Sequence, residues 1–193
     1  ATPENTLWCG SYRGPSRFDG TNFAGLTPEQ LTGRTNIPPD RNSAWVNAIR
    51  RAEDGAVWFG MQNPSGAIRW DGTNSTRFFT NGVGRFDRAP DGKLWFIPQP
   101  GPSRGPAPWV VSYDGKAYTR LSLESLAVTN FLRSVHCDAK GNVWFGSGQG
   151  LIRYDGTNFT RLSTEQGLVD ASVGVINSEP DGVIWIGTAN GVS

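Results

Sequence analysis

At 193 residues the chain has room for one sizeable core or for a short array of small repeated ones. Its 25 glycines and 8 tryptophans, set against one methionine and one histidine, suit tight turns and aromatic-packed sheets better than helices. Lysine and arginine number 18 and acidic residues 17, a net charge of +1 with no block of like charge, which argues against a nucleic-acid or membrane-surface partner.

The first element is a strand at Leu7-Trp8-Cys9-Gly10, followed by a turn at Phe18-Asp19-Gly20. An insertion at 27–43 carries Arg34, Pro38, Pro39, Asp40 and Arg41 and leads into Trp45. The motif then returns. Asp54-Gly55 precedes Val57-Trp58-Phe59-Gly60, a loop at 62–66 follows with Gln62 and Asn63, and Trp70-Asp71-Gly72 closes a second turn. Asp91-Gly92 precedes Leu94-Trp95-Phe96-Ile97, where isoleucine and Pro98 replace the glycine. A proline-rich insertion at 98–108, containing Arg104, ends at Trp109, and Tyr113-Asp114-Gly115 comes next. Lys140-Gly141, Val143-Trp144-Phe145-Gly146 and Tyr154-Asp155-Gly156 make the most regular unit, and Asp181-Gly182 with Ile184-Trp185-Ile186-Gly187 begins the last.

The five tryptophans Trp8, Trp58, Trp95, Trp144 and Trp185 are 50, 37, 49 and 41 residues apart, a period that suits a four-stranded blade. Asp-Gly between apolar runs predicts tight hairpins of type I′. One unit is expected as strand A, an Asp-Gly-type turn, strand B with the tryptophan, a loop, strand C, an Asp-Gly turn and strand D. The fold class is therefore all-β, a β-propeller of four-stranded antiparallel blades; a β-solenoid would need shorter coils and a more regular period. About four blades are present. Complete blades are expected at 44–80, 83–121 and 131–162, with a leading partial blade at 5–26 and a trailing one at 173–193. The chain 1–193 thus forms a single propeller domain or, the favoured expectation, a segment of a larger ring, since strand exchange between the two partial sets would leave one B strand over.

The units running from Asn142 to Gly156 and on through Thr157-Asn158-Phe159-Thr160-Arg161-Leu162 and Gly167-Leu168 resemble the two-component-regulator propeller repeat. That family builds extracytoplasmic sensor regions of bacterial hybrid histidine kinases and also occurs in secreted proteins and enzymes. The resemblance implies a propeller fold, a periplasmic or secreted location and a sensing role. Asp91-Gly92-Lys93-Leu94-Trp95-Phe96 is also similar to virginiamycin-lyase-like propellers, whose activity needs a histidine and a metal; His136 is the sole histidine here.

In an up-and-down blade the A–B and C–D turns share one end of the strands, and the B–C and D–A connections gather at the other. The longer connections, 11–16, 27–43, 62–66, 98–108, 122–130 and 163–171, therefore present a recognition face on a rigid scaffold. The candidate ligand-binding residues on it are Arg13, Arg41, Trp45, Gln62, Arg104, Trp109 and Gln149. Aromatics beside arginines and amides suit stacking on a sugar or gripping a carboxylate. The same tryptophans also fit ordinary blade packing.

No metal site, cofactor motif, nucleophile elbow or phosphate loop is evident, so the expectation is a non-enzymatic binding or sensor propeller for a carbohydrate or other small polar ligand. A protein partner or further blades are the alternative occupants. A scaffold within a larger assembly, and a propeller part of a secreted lyase or hydrolase using His136, are the alternative functions. No stretch approaches the roughly 20 apolar residues that span a bilayer, and no signal peptide is read. Cys9 and Cys137 fit no metal spacing, and a disulfide between them is open.

Overall fold

The structure, a computed structural model, describes residues 6–32, 45–52, 54–62, 66–78, 82–99, 109–128 and 132–193. The chain divides into two compact units, Ala1–Gly84 and Arg85–Ser193. The described residues form five antiparallel sheets, each an up-and-down meander in chain order.

The first unit holds β1 (Leu7–Ser11), β2 (Gly14–Phe18) and β3 (Phe23–Gly25), a five-residue helix α1 (Pro28–Thr32), and the four-stranded sheet β4 (Val46–Arg51), β5 (Val57–Met61), β6 (Ala67–Trp70) and β7 (Ser75–Arg77). Val57, Phe59, Met61, Ile68, Trp70 and Leu31 form a buried core, against which Trp8 and Ile49 pack. Trp8 meets Phe59 edge to face at 5.2 Å, a geometry the ring quadrupoles favour.

The second sheet of four is β8 (Val83–Arg88), β9 (Leu94–Pro98), β10 (Trp109–Tyr113) and β11 (Tyr118–Ser122). Next come β12 (Leu132–Cys137), β13 (Val143–Ser147), β14 (Gly150–Tyr154) and β15 (Phe159–Leu162), then a three-stranded sheet of β16 (Val173–Ser178), β17 (Ile184–Thr188) and the two-residue β18 (Gly191–Val192). Within the second unit the core alternates between sheets. Trp95, Val110, Val143, Phe145 and Ile152 make one layer, and Leu151, Leu168, Val173, Ile176 and Ile186 the next.

The repeated tryptophan lies on strands as expected: β1, the first of its three-stranded sheet, and the second strands β5, β9, β13 and β17 contain Trp8, Trp58, Trp95, Trp144 and Trp185. The glycine two residues on is a packing requirement. A Cβ on Gly146 would stand 2.8 Å from Val173 Cγ1 and 2.9 Å from its carbonyl oxygen, besides striking Ser134 Oγ. A Cβ on Gly10 would lie 2.8 Å from Val46 Cγ1. Val173 and Val46 both open the first strand of the following sheet, so the glycine is where one sheet face seats the next.

The hairpins differ from the type I′ expectation. In β14–β15, Tyr154 pairs with Phe159, leaving a four-residue loop. Asp155 stays at negative φ and its Oδ1 accepts the N–H groups of Thr157 and Asn158 at 2.9 and 2.8 Å, while Gly156 alone takes φ +99°. The aspartate acts through its side chain rather than its backbone. These bonds, that of Asn158 first, also hold its carboxyl below the usual carboxylate range. The loop 11–16, expected to be long and irregular, is instead a tight turn between paired Ser11 and Gly14, with Ser11 Oγ donating to Gly14 O at 3.0 Å. Ser147–Gly150 and Thr188–Gly191 repeat it.

Gly146→Ala should destabilise the protein by about 1–3 kcal/mol through overpacking, whereas Gly187→Ala, whose Cβ would meet nothing nearer than Val175 Cβ at 3.5 Å, should change stability by less than about 0.5 kcal/mol. Urea unfolding of both variants makes the comparison.

Candidate functional site

Within individual sheets, polar groups lie at both ends of the strands. At the end carrying the B–C and D–A connections, Trp45 is 47% exposed, whereas Trp58 and Trp95 in the blade interiors are 4% and 5% exposed. Gln62 donates its backbone N–H to Trp45 O at 2.8 Å, so these two candidate residues are neighbours at the entry to β4 and the exit of β5. Arg13 is exposed on the Ser11–Gly14 turn, with its guanidinium 5.5 Å from the Tyr12 ring. Trp109 opens β10 and lies under the Arg120 guanidinium at 4.2 Å, a cation–π pair with the exposed strand β11. Gln149 sits half-buried on the Ser147–Gly150 turn, and its carbonyl accepts from Arg161 Nε at 3.1 Å. Arg41, Arg104 and Asn63 lie outside the described residues.

Among the described residues, some of these B–C and D–A connections hold short helical turns. Thr27 and Gln30 satisfy each other's backbone N–H groups at the start of α1, and Ser163 with Gln166 forms a capping box on a single 3-10 turn, Thr164–Gln166. The S/T-x-x-Q spacing was a legible signal for both. Each turn delivers a leucine, Leu31 or Leu168, into the core.

At the opposite end the inner strands carry a second polar cluster. Asp138 is buried just past β12, and its carboxylate accepts from Asn142 N, Asn142 Nδ2, Lys140 N and Trp144 Nε1 at 2.8–2.9 Å. Arg153 then donates to Asn142 Oδ1 through Nε and Nη2 at 3.0 and 2.7 Å. Burial pushes the Asp138 carboxyl up, but the Trp144 and Asn142 donors outweigh it and hold the group below its ordinary value. In the last sheet Glu179 takes the same place, accepting from Trp185 Nε1 at 2.7 Å.

Beside it, His136 on β12 stands between two other first strands of the same unit. Its Nε2 lies 2.7 Å from Ser178 Oγ on β16, and its Nδ1 3.4 Å from Asp87 Oδ2 on β8. Asp87 is buried and also accepts the Cys137 N–H at 3.0 Å. His136 was singled out as the sole histidine; Asp87 and Ser178 were not, since nothing in their local sequence marks them. No disulfide joins Cys9 and Cys137. Among the described residues no group of three or more His, Cys, Asp or Glu is placed to hold a metal ion, and no helix is long and apolar enough to cross a membrane.

An ionised Asp138 with a lowered pKa contributes stability that is complete above the unfolded value of about 3.9 and is lost as pH falls through the folded value. Asp138→Ala should cost about 2–4 kcal/mol at pH 7, because buried donors of Asn142 and Trp144 lose their acceptor. The loss should shrink as pH is lowered below 4, and denaturant titrations at pH 7 and pH 3 measure it.

No family model and no curated protein matches the sequence. Solved structures do match in fold. The extracellular domain of a hybrid two-component-system protein from B. thetaiotaomicron is 17% identical over 98% of this chain and 26% of that one, with a TM-score of 0.72. A catalytically inactive virginiamycin B lyase from Staphylococcus aureus is 15% identical over 98% of this chain and 61% of that one, with a TM-score of 0.72. The GH74 enzyme of Niastella koreensis is 13% identical over 97% of this chain and 34% of that one, with a TM-score of 0.68. The chain thus spans about a quarter of the two-component-system domain's length. Extracellular domains of two-component-system proteins and enzymes share this architecture, and at such identities the likeness carries the fold alone: this chain is all-β, of β-propeller fold, built from antiparallel sheets of up to four strands.

Proposed function

We propose that the chain is a recognition part of an extracytoplasmic, sensor-type propeller that takes a carbohydrate or other small polar ligand at the loop end of its strands. The observation that carries this reading is Trp45. A large aromatic left half in water at the mouth of a rigid strand pair, its backbone carbonyl bonded to the Gln62 N–H, offers an apolar stacking face next to an amide residue. The Trp109–Arg120 pair repeats the pattern of aromatic and fixed donor on a second sheet. The fold is shared with extracellular domains of two-component-system proteins, which is compatible with this location and role. Recognition on this face requires no catalytic group.

A second reading, assembly with another protein or a further blade, is favoured by a different surface. Val175, Trp185 and Val192 of the last sheet are exposed, Trp185 to 48%. Its equivalent Trp144 is half-buried and belongs to the core layer made with β16 and β17. An apolar sheet face of this kind is suited to packing against another sheet.

Calorimetric titration of the chain against a panel of neutral and acidic oligosaccharides tests the first reading. Binding should appear for at least one, and Trp45→Ala should weaken it by about tenfold or more, corresponding to about 1–3 kcal/mol of stacking, with the melting temperature unchanged. A panel without binding, or Trp45→Ala binding as the parent does, rejects it. Light scattering tests whether this face also joins copies of the chain, and a monomer at all concentrations rejects that form of the second reading.

A further inference from the structure

From the contact of three inner strands we infer that Ser178 is a nucleophile activated by His136 and held in alignment through Asp87, an acyl-transfer centre for small, activated esters. This goes beyond ligand recognition, and all three residues belong to the second unit. Such a constellation is recognised by geometry and roles, whatever the fold or chain order. Nε2 of His136 is 2.7 Å from Ser178 Oγ, within reach for proton transfer. Nδ1 faces Asp87 Oδ2 at 3.4 Å, a separation that tightens when the ring gains charge. A carboxylate at Nδ1 keeps the proton there and leaves the Nε2 lone pair for the serine hydroxyl. The Cys137 N–H fixes the carboxylate from the strand side.

Asp87 is buried, and His136 and Ser178 are both partly buried, the serine at the end of β16. The serine and the histidine thus lie at the border between the interior and solvent. As Oγ bonds to the ester carbonyl carbon, its proton passes to Nε2; the C–O bond to the leaving alcohol then breaks and the alcohol takes that proton. Water, deprotonated by His136, hydrolyses the acyl-Ser178 ester, releasing the carboxylic acid and returning the proton to Oγ. No other reactant is needed.

The same contacts also clasp three strands together, and the test separates the roles. The full chain is treated with a fluorophosphonate, and labelled serines are located by peptide mass. Ser178 should be modified at least about 100-fold faster than exposed Ser11, the scale of general-base assistance. His136→Gln, which can still hydrogen-bond Ser178, should lose that advantage while keeping its melting temperature, and Asp87→Asn should reduce it. p-Nitrophenyl acetate should give an acyl adduct on Ser178, absent in Ser178→Ala. Equal labelling of Ser178 and Ser11 in the parent overturns the proposal even if a variant fails to fold, and so does an undiminished rate in folded His136→Gln. Glycan binding through Trp45 is read separately and survives either outcome.

Discussion

Close approach between the faces of successive sheets is the constraint from which the other features follow. In two of the repeats the glycine two residues after the tryptophan leaves room for the valine that opens the next sheet: Gly10 beneath Val46, Gly146 beneath Val173. Without a side chain there, the first strand of the next sheet settles against the second strand of the previous one. The aromatic residue before the glycine then fills the layer, as Phe145 does against Trp95 at 6.0 Å. Sheets this narrow cannot bury enough surface alone, so stacking supplies the core.

That approach also sets the chemistry of the inner strands. Once β8, β12 and β16 stand side by side in the second unit, short polar side chains on neighbouring strands come within hydrogen-bond reach. His136 then meets Ser178 and Asp87, while Asp138 turns back within its own sheet to hold the Trp144 indole and Asn142. The tryptophans differ for the same reason. Those with Ala52 or Ala89 at the Asp138 position are buried, whereas Trp144 and Trp185, which keep some contact with water, are tied by Asp138 and Glu179. An indole N–H beside a carboxylate is better satisfied than one left to a partly wetted layer.

The turn chemistry shows where sequence reasoning was right in kind and wrong in detail. Asp-Gly pairs marked every C–D hairpin correctly, but the aspartate bonds two backbone N–H groups and the loop takes four residues. The Ser11–Gly14 turn was overlooked because a hydroxyl closing on the carbonyl of a following glycine carries no strong dipeptide signal. Among the recognition residues, Trp45 and Gln62 adjoin because strand pairing brings 45 and 62 together, and Trp109 gains Arg120 across a hairpin.

The sequence by itself determined the blades: tryptophan spacing, alternating strands and glycine turns are local signals, each set by backbone geometry within a few residues. It also ordered the strands, because short hairpin connections allow only an up-and-down meander. Only the tertiary structure decided which polar side chains meet. Asp87, His136 and Ser178 are separated by roughly one blade each, and no local pattern couples residues at that distance. Their encounter depends on sheets stacking closely enough for first strands to lie side by side, and that closeness is a property of packed faces, which no single unit of the repeat possesses.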